Sequence, residues 1–205
     1  MQKYVITIAR GYGSGGKTIG KMLSEQLGIP FYDREIIRMA SEDSGISEEI
    51  FGKADEKLKP TLFRSPSNVY KGGLIAPESS NFVSDENLFN YQAKIIKALA
   101  EKESCVIVGR CADFVLAGAD NLIRIFVYAD ESVCVSNLMD IYGMSEKDAL
   151  KKIASIDKHR SDYYRYYTGS RWDNVRNYDL CLNSGDLGFE KCVDIVKNFV
   201  KIRLA

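Results

Sequence analysis

The chain has 205 residues, of which 28 are Lys or Arg and 28 are Asp or Glu, so its formal net charge is zero. That length holds one sizeable α/β domain and not two of ordinary size, and the even balance excludes a protein that finds nucleic acid or an anionic membrane through bulk charge. Cys105, Cys111, Cys134, Cys181 and Cys192 show neither C-x-x-C nor zinc spacing, no apolar run is long enough for a membrane span, and residues 1–10 lack a signal-peptide pattern; the expectation is a cytoplasmic protein with reduced, mostly buried thiols.

The first element is a short apolar strand, YVITIA at 4–9. It runs into GYGSGGKT at 11–18, and then into TIGKMLSEQL, where Ile19, Met22, Leu23 and Leu27 recur at helical spacing. Gly28 and Pro30 stop that helix in the usual order. IPFY reads as a second buried strand with Asp33 at its tip, and DREIIRMASED as a helix for which Asp33 is either the N-cap or a site residue. SEEIFGKADEKL suggests a short helix with acidic residues in its first turn. The stretch 59–84 holds three of the four prolines and the pair Gly72–Gly73, and reads as an irregular segment of the kind that serves as a lid, a substrate-binding insert or a disordered loop.

DENLFNYQAKIIKALAEKE is the clearest helix, with Leu88, Phe89, Gln92, Ile95, Ile96 and Leu99 on one face and Asp85 as the expected cap. SCVIVGR is wholly apolar until Gly109–Arg110, as a central parallel strand would be. NLIRIFVYA gives a fourth strand and DESVCVSNLMDIYG a helix. Ser145 with Asp148 forms a capping box for a helix over SEKDALKKIASIDKHR. SDYYRYYTGSRWDN has no clean period. YDLCLNS is a fifth strand, and residues from Leu187 to Arg203 make a closing amphipathic helix. Strands alternating with helices imply a parallel sheet covered on both faces, with ligands at the C-terminal strand ends.

The glycine stretch satisfies G-x-x-x-x-G-K-[ST] in the strand–turn–helix context that gives the pattern its meaning. Gly11, Gly13, Gly15 and Gly16 let main-chain N–H groups converge with the helix N-terminus on an anion, and Ser14 lies within the same loop. Lys17 is placed for the β and γ phosphates of a nucleotide, and Thr18 to offer its hydroxyl to magnesium. Joining two anionic molecules requires further cations, and Arg34, Arg38, Arg110, Lys158, Arg160, Arg165 and Arg171 are the candidates. Arg110 stands out because it directly follows a buried strand at the ligand-bearing edge. No general base is evident, and His159, the only histidine, reads as a surface residue. Tyr163, Tyr164, Tyr166 and Tyr167 read as packing residues, since no basic stripe accompanies them.

The combination GYGSGGKTIGKMLSEQLGIPFYDREII, CVIVGRCADFVL, IDKHRSDYYRYYTG and YDLCLNSGDLG resembles the bacterial cytidylate kinase-like family over nearly the whole chain, and more distantly the nucleoside monophosphate kinases. The resemblance implies a three-layer P-loop NTPase fold over 1–205, a five-stranded parallel sheet in order 2-3-1-4-5 with helices on both faces. It also implies a monophosphate-binding insert at about 40–85 and a lid at about 157–171. ATP and magnesium are the implied cofactors, and the acceptor a small molecule, most simply a nucleoside monophosphate such as CMP or dCMP. By the same resemblance, Lys17, Arg160 and Arg165 are catalytic, Asp33, Arg38 and Arg110 bind the acceptor, and Asn183 and Ser184 lie beside the adenine. The D-G-R-D motif of true cytidylate kinases reads here Val108-Gly109-Arg110-Cys111, without either acid; Asp33 and Asp113 are the carboxylates available in their place. Two other readings stay open: a kinase for another small metabolite, and an ATP-binding regulatory protein without transfer activity.

Overall fold

Residues 5–10, VITIAR, form the central strand because neither face of that strand meets water: Val5, Ile6, Thr7 and Ile8 are at most 2% exposed. In this computed structural model, which describes residues 3–56, 70 and 72–205, β1 (Val5–Arg10) is flanked by β3 (Cys105–Val108) and β4 (Leu122–Tyr128). The edges are β2 (Phe31–Tyr32) and β5 (Leu180–Asn183), which gives the order β2-β3-β1-β4-β5. Every pairing is parallel, with Val5 opposite both Cys105 and Leu122.

Alternation along the strands sends side chains to two separate cores. Ile6, Ile8, Val106, Val108, Ile123 and Ile125 pack under α1 (Gly16–Leu27) and α9 (Phe189–Arg203), against Ile19, Leu23, Val193 and Val196. Val5, Cys105, Ile107 and Leu122 face the opposite layer, built from α2 (Glu35–Ser44), α3 (Glu48–Glu56), α4 (Asp85–Lys102) and α5 (Ala112–Val115). The expected three-layer fold and strand order are therefore present. Truncating Ile8 or Ile125 to Ala would cost about 2–5 kcal/mol, since neither site has solvent to collapse toward.

Local differences from the expectations have clear causes. The cap of α4 is Ser84, whose Oγ accepts from the Asn87 N–H, and not Asp85. Asp33 does not cap α2 either: Arg34 occupies that position with no side-chain cap. The tyrosine-rich segment is helical, because α7 runs unbroken from Glu146 to Thr168 before closing at Gly169. Its Tyr164 and Tyr167 are buried in the α4 layer, and the Tyr167 ring stacks on Phe89 at 3.9 Å, so aromatic burial on several sides erased the period. Ser145 caps α7 as the sequence indicated. The closing helix is split at Gly188 into α8 (Ser184–Leu187) and α9. Between β4 and α7 lies α6 (Glu131–Tyr142), packed on α7 through Cys134, Leu138, Ala149 and Ile153. Cys181 is exposed, while the other four cysteines are buried. The irregular stretch expected over 59–84, and with it the centre of the insert at 40–85, lies partly outside the described residues.

Candidate active site

The turn from β1 to α1 is built by what its glycines omit. Gly15 is left-handed (φ 77°) and is the N-cap of α1 with no side-chain cap, so the first-turn N–H groups are left open toward the loop. A side chain on Gly15 would run into the Phe189 ring. One on Gly13 would fall 2.8 Å from the Cys134 carbonyl oxygen, and one on Gly16 2.5 Å from Arg10 Cβ. Gly11 is under no such pressure, its nearest neighbour being Asp157 at 3.7 Å.

Four elements brace this loop from behind. The Ser14 hydroxyl, fully buried, lies 2.9 Å from the Gly11 carbonyl and 3.1 Å from that of Val127. The Ser184 hydroxyl lies 2.6 Å from the Ser14 carbonyl and 3.0 Å from that of Tyr128. Both serines thus use their hydroxyls inward, as struts of the loop. Asn137 of α6 donates to the Gly13 carbonyl at 2.8 Å. On α7, Asp157 accepts the Tyr12 N–H at 2.8 Å and pairs with Arg160 at 3.3 Å, and Arg160 donates to the Arg10 carbonyl at 3.0 Å. Burial raises the Asp157 carboxyl above its ordinary range, against the lowering effect of the Tyr12 N–H and Arg160. Asn183 accepts from Gly185 N–H and donates to Asp186, which ties it to the start of α8.

Lys17 and Thr18 are exposed in the first turn of α1. Lys17 reaches across to Asp33 at 2.8 Å, so the carboxylate at the tip of β2 holds the loop lysine in place. Thr18 makes no side-chain hydrogen bond among the described residues, which leaves its hydroxyl available to a cation. No group of three His, Cys, Asp or Glu side chains able to hold a metal occurs among the described residues. Magnesium is therefore compatible with this site only in the manner of phosphate loops, held by Thr18 together with the nucleotide's own oxygens. Asp113, the other carboxylate considered for that role, is buried on α5 and accepts from Tyr164 Oη at 2.6 Å.

Arg110 sits in a turn of three consecutive left-handed residues, Gly109 (φ 78°), Arg110 (φ 60°) and Cys111 (φ 51°). Two non-glycine residues in that region cost about 1–2 kcal/mol each, and the distortion aims Arg110 at Gln92, which accepts from it at 3.1 Å. Gln92, 2% exposed on the core face of α4, is thus a positioning residue that its place among apolar neighbours concealed. Arg160 reaches the loop; Arg165 is exposed and makes no hydrogen bond or ion pair among the described residues. Arg38 is exposed and pairs with Glu42 one turn along α2. Lys158 and Arg171 pair with Asp162 and Asp173.

Sequence reasoning missed Arg10. It ends β1, and its side chain passes Gly16 and lies over Gly109. Its guanidinium forms no hydrogen bond or ion pair among the described residues. Burial first, then Arg160 and Arg110, lower its pKa to about 9, with Asp33 and Asp157 acting the other way. Its signal in the sequence was a single charge closing an otherwise apolar central strand.

A parallel sheet in this order, with a glycine loop after β1 and cations gathered at the C-terminal strand ends, defines a P-loop kinase. The chain belongs to the cytidylate kinase-like family, whose model matches residues 5–186. It is similar to the cytidylate kinase of Archaeoglobus fulgidus, 25% identical over 205 residues and covering 97% of this chain and 95% of that one. Among solved structures, a protein from Eubacterium ventriosum is 27% identical with a TM-score of 0.71, covering 97% of this chain and 99% of that one. A gluconokinase from Sinorhizobium meliloti shares the fold, with a TM-score of 0.53 at 14% identity over 98% of this chain and 96% of that one. The protein is a nucleotide-dependent phosphotransferase acting on a small molecule. Among the described residues no helix is long and apolar enough to cross a membrane.

Proposed function

We propose that the enzyme transfers the γ-phosphoryl group of ATP to a nucleoside monophosphate, with CMP and dCMP the first candidates. The observation that carries this reading is the asymmetry of charge around the loop. Lys17 with Asp33, Arg10 and Arg110 lie on the β2–β3 side of β1, and Arg160 comes over the top from α7. The donor's triphosphate belongs in the loop, on the first-turn N–H groups of α1 and Lys17. Thr18 would hold the magnesium, which neutralises phosphate charge when bound. The acceptor belongs beside Asp33 and Arg110, on the side away from β4 and β5.

A phosphate acceptor is already an anion and needs no general base, so positioning and charge neutralisation carry the reaction. Among the described residues the carboxylate paired with the loop lysine is Asp33, which disfavours a hydroxyl acceptor dependent on that base. In this reading the residues about 157–171 cover the loop as part of α7 and the turn after it, with Arg160 rather than Arg165 nearest the transferring group. Measuring ADP release from ATP and magnesium with CMP, dCMP, UMP, AMP and GMP in turn tests it. Release dependent on one of these supports the proposal. Release driven only by sugar or carboxylate acceptors with a free hydroxyl would overturn it.

A further inference from the structure

The geometry points to Arg10 as a direct ligand of the acceptor's phosphate group, forming with Arg110 and Arg160 a three-arginine cradle on the β3 side of the phosphate loop. This inference rests on the nucleoside monophosphate reading and deepens it by naming a residue that reads the acceptor's phosphate.

Three observations carry it. The guanidinium of Arg10 has no hydrogen-bond or ion-pair partner among the described residues, although it is enclosed by the loop and the β3–α5 turn. Arg10 is half-buried, and a cation partly withdrawn from water and left unpaired by the protein is costly unless something else completes it. Its nearest charged neighbours include two more arginines, Arg160 and Arg110, and each of these is already held, Arg160 by Asp157 and Arg110 by Gln92. The charges of Arg160 and Arg110 act against that of Arg10 in the ligand-free enzyme, and a dianion bound beside Arg10 offsets that repulsion.

Direction then separates acceptor from donor. Arg10 could have turned toward β4 and β5, where the loop is braced by Ser184. Instead its Nη1 lies over Gly109, at the end of β3. Gly109 is left-handed and lacks a side chain at the point where a Cβ would meet that nitrogen. The turn therefore makes room for Arg10 and presents Arg110 beside it. A phosphate in this space sits across from Lys17, on the side where Asp33 marks the end of β2.

The test is calorimetric titration of CMP, cytidine and ATP with magnesium into the wild type, Arg10→Met, Arg10→Lys and Gly109→Ala. If CMP is not the acceptor, the monophosphate that supports ADP release and its nucleoside replace it. The expected result for Arg10→Met is a loss of about 10- to 100-fold in monophosphate affinity, the range for one charge-assisted hydrogen-bonded contact. ATP affinity should stay within about twofold and cytidine binding should not change, since neither engages the Arg10 guanidinium. Arg10→Lys should recover part of the loss, and Gly109→Ala, which displaces the guanidinium, should fall the same way as Arg10→Met. Retained ATP binding shows that the variants are folded. Equal affinity of wild type and Arg10→Met for the monophosphate overturns the inference while leaving the kinase reading intact, as does a matching loss in ATP affinity. A wild type that binds ATP and none of the five monophosphates overturns both.

Discussion

If Arg10 is kept charged and unpaired for the sake of a ligand, removing it should make the ligand-free protein more stable. Burial and the neighbouring arginines lower its pKa from 12.5 to about 9. At about 1.4 kcal/mol per pH unit, that corresponds to a native-state penalty of about 5 kcal/mol. Arg10 is not wholly removed from water, and solvent screening reduces the figure. Methionine has a stem of similar length and no charge, so Arg10→Met should gain about 2–4 kcal/mol, in line with apolar replacement of other buried charges. For a domain of this size the melting temperature should rise by about 5–12 °C.

Urea unfolding without nucleotide at pH 7 measures the gain, and repeating it at higher pH tests the cause. The folded-state pKa of this base is depressed, so above pH 9 the unfolded chain holds a proton that the native protein releases. Wild-type stability relative to Arg10→Met should therefore climb as pH rises above about 9, by up to about 1.4 kcal/mol per unit. Other groups titrate equally in both proteins and cancel. A variant less stable than wild type at pH 7, or a gap that does not narrow between pH 9 and 10.5, refutes the reasoning.

Arg160→Ala should lower kcat by about a thousandfold while ATP Kd moves by less than about threefold, because an arginine at the transferring phosphoryl group acts mainly in the transition state; similar small losses in both would remove Arg160 from the catalytic set. Gly15→Ala and Gly28→Ala share a positive φ, but only the first also meets the Phe189 ring, while Gly28 has open space. Chemical denaturation should show about 1 kcal/mol lost at Gly28 and at least about 2 at Gly15, with nucleotide binding lost only in the latter. Asp113→Asn should stabilise the protein at pH 7. Burial raises the Asp113 pKa despite the Tyr164 hydroxyl, so the native state binds its proton more tightly than the unfolded chain, and the wild type loses stability as pH rises from 3.8 through the raised value. Thermal unfolding of both proteins should converge toward pH 4; a constant difference across that range would refute this account.

The sheet was legible because central parallel strands carry apolar residues on both faces, as CVIV does, and the glycine loop because its spacing is tied to one chemistry. Features that depend on distant partners were not. Asp157 and Tyr12 are 145 residues apart, and nothing in spacing announces that a carboxylate on α7 will hold the loop's N–H. Asp33 looked equally like a cap or a site residue; it does not cap α2, and its carboxylate pairs instead with Lys17 at 2.8 Å, a partner that sequence spacing does not announce. Arg10 was lost because the apolar run ends at Ala9, and one arginine beside glycines resembles any solvated surface residue. Gln92 was hidden in the opposite way, by lying among the apolar residues of a helix face.

The unbroken course of α7 has a mechanical consequence. Its 23 residues make a rod about 35 Å long, gripping the phosphate loop through Asp157 and Arg160 and the α4 layer through Tyr164 and Tyr167. With no glycine or proline inside it to act as a joint, a shift of the loop cannot be absorbed locally and must be transmitted along the rod. Just past its end stands Trp172, the sole tryptophan, edge-on to Phe126 of β4 at 5.2 Å. The molecule therefore carries a built-in optical gauge, and nucleotide arrival at the loop should register as a change in its emission.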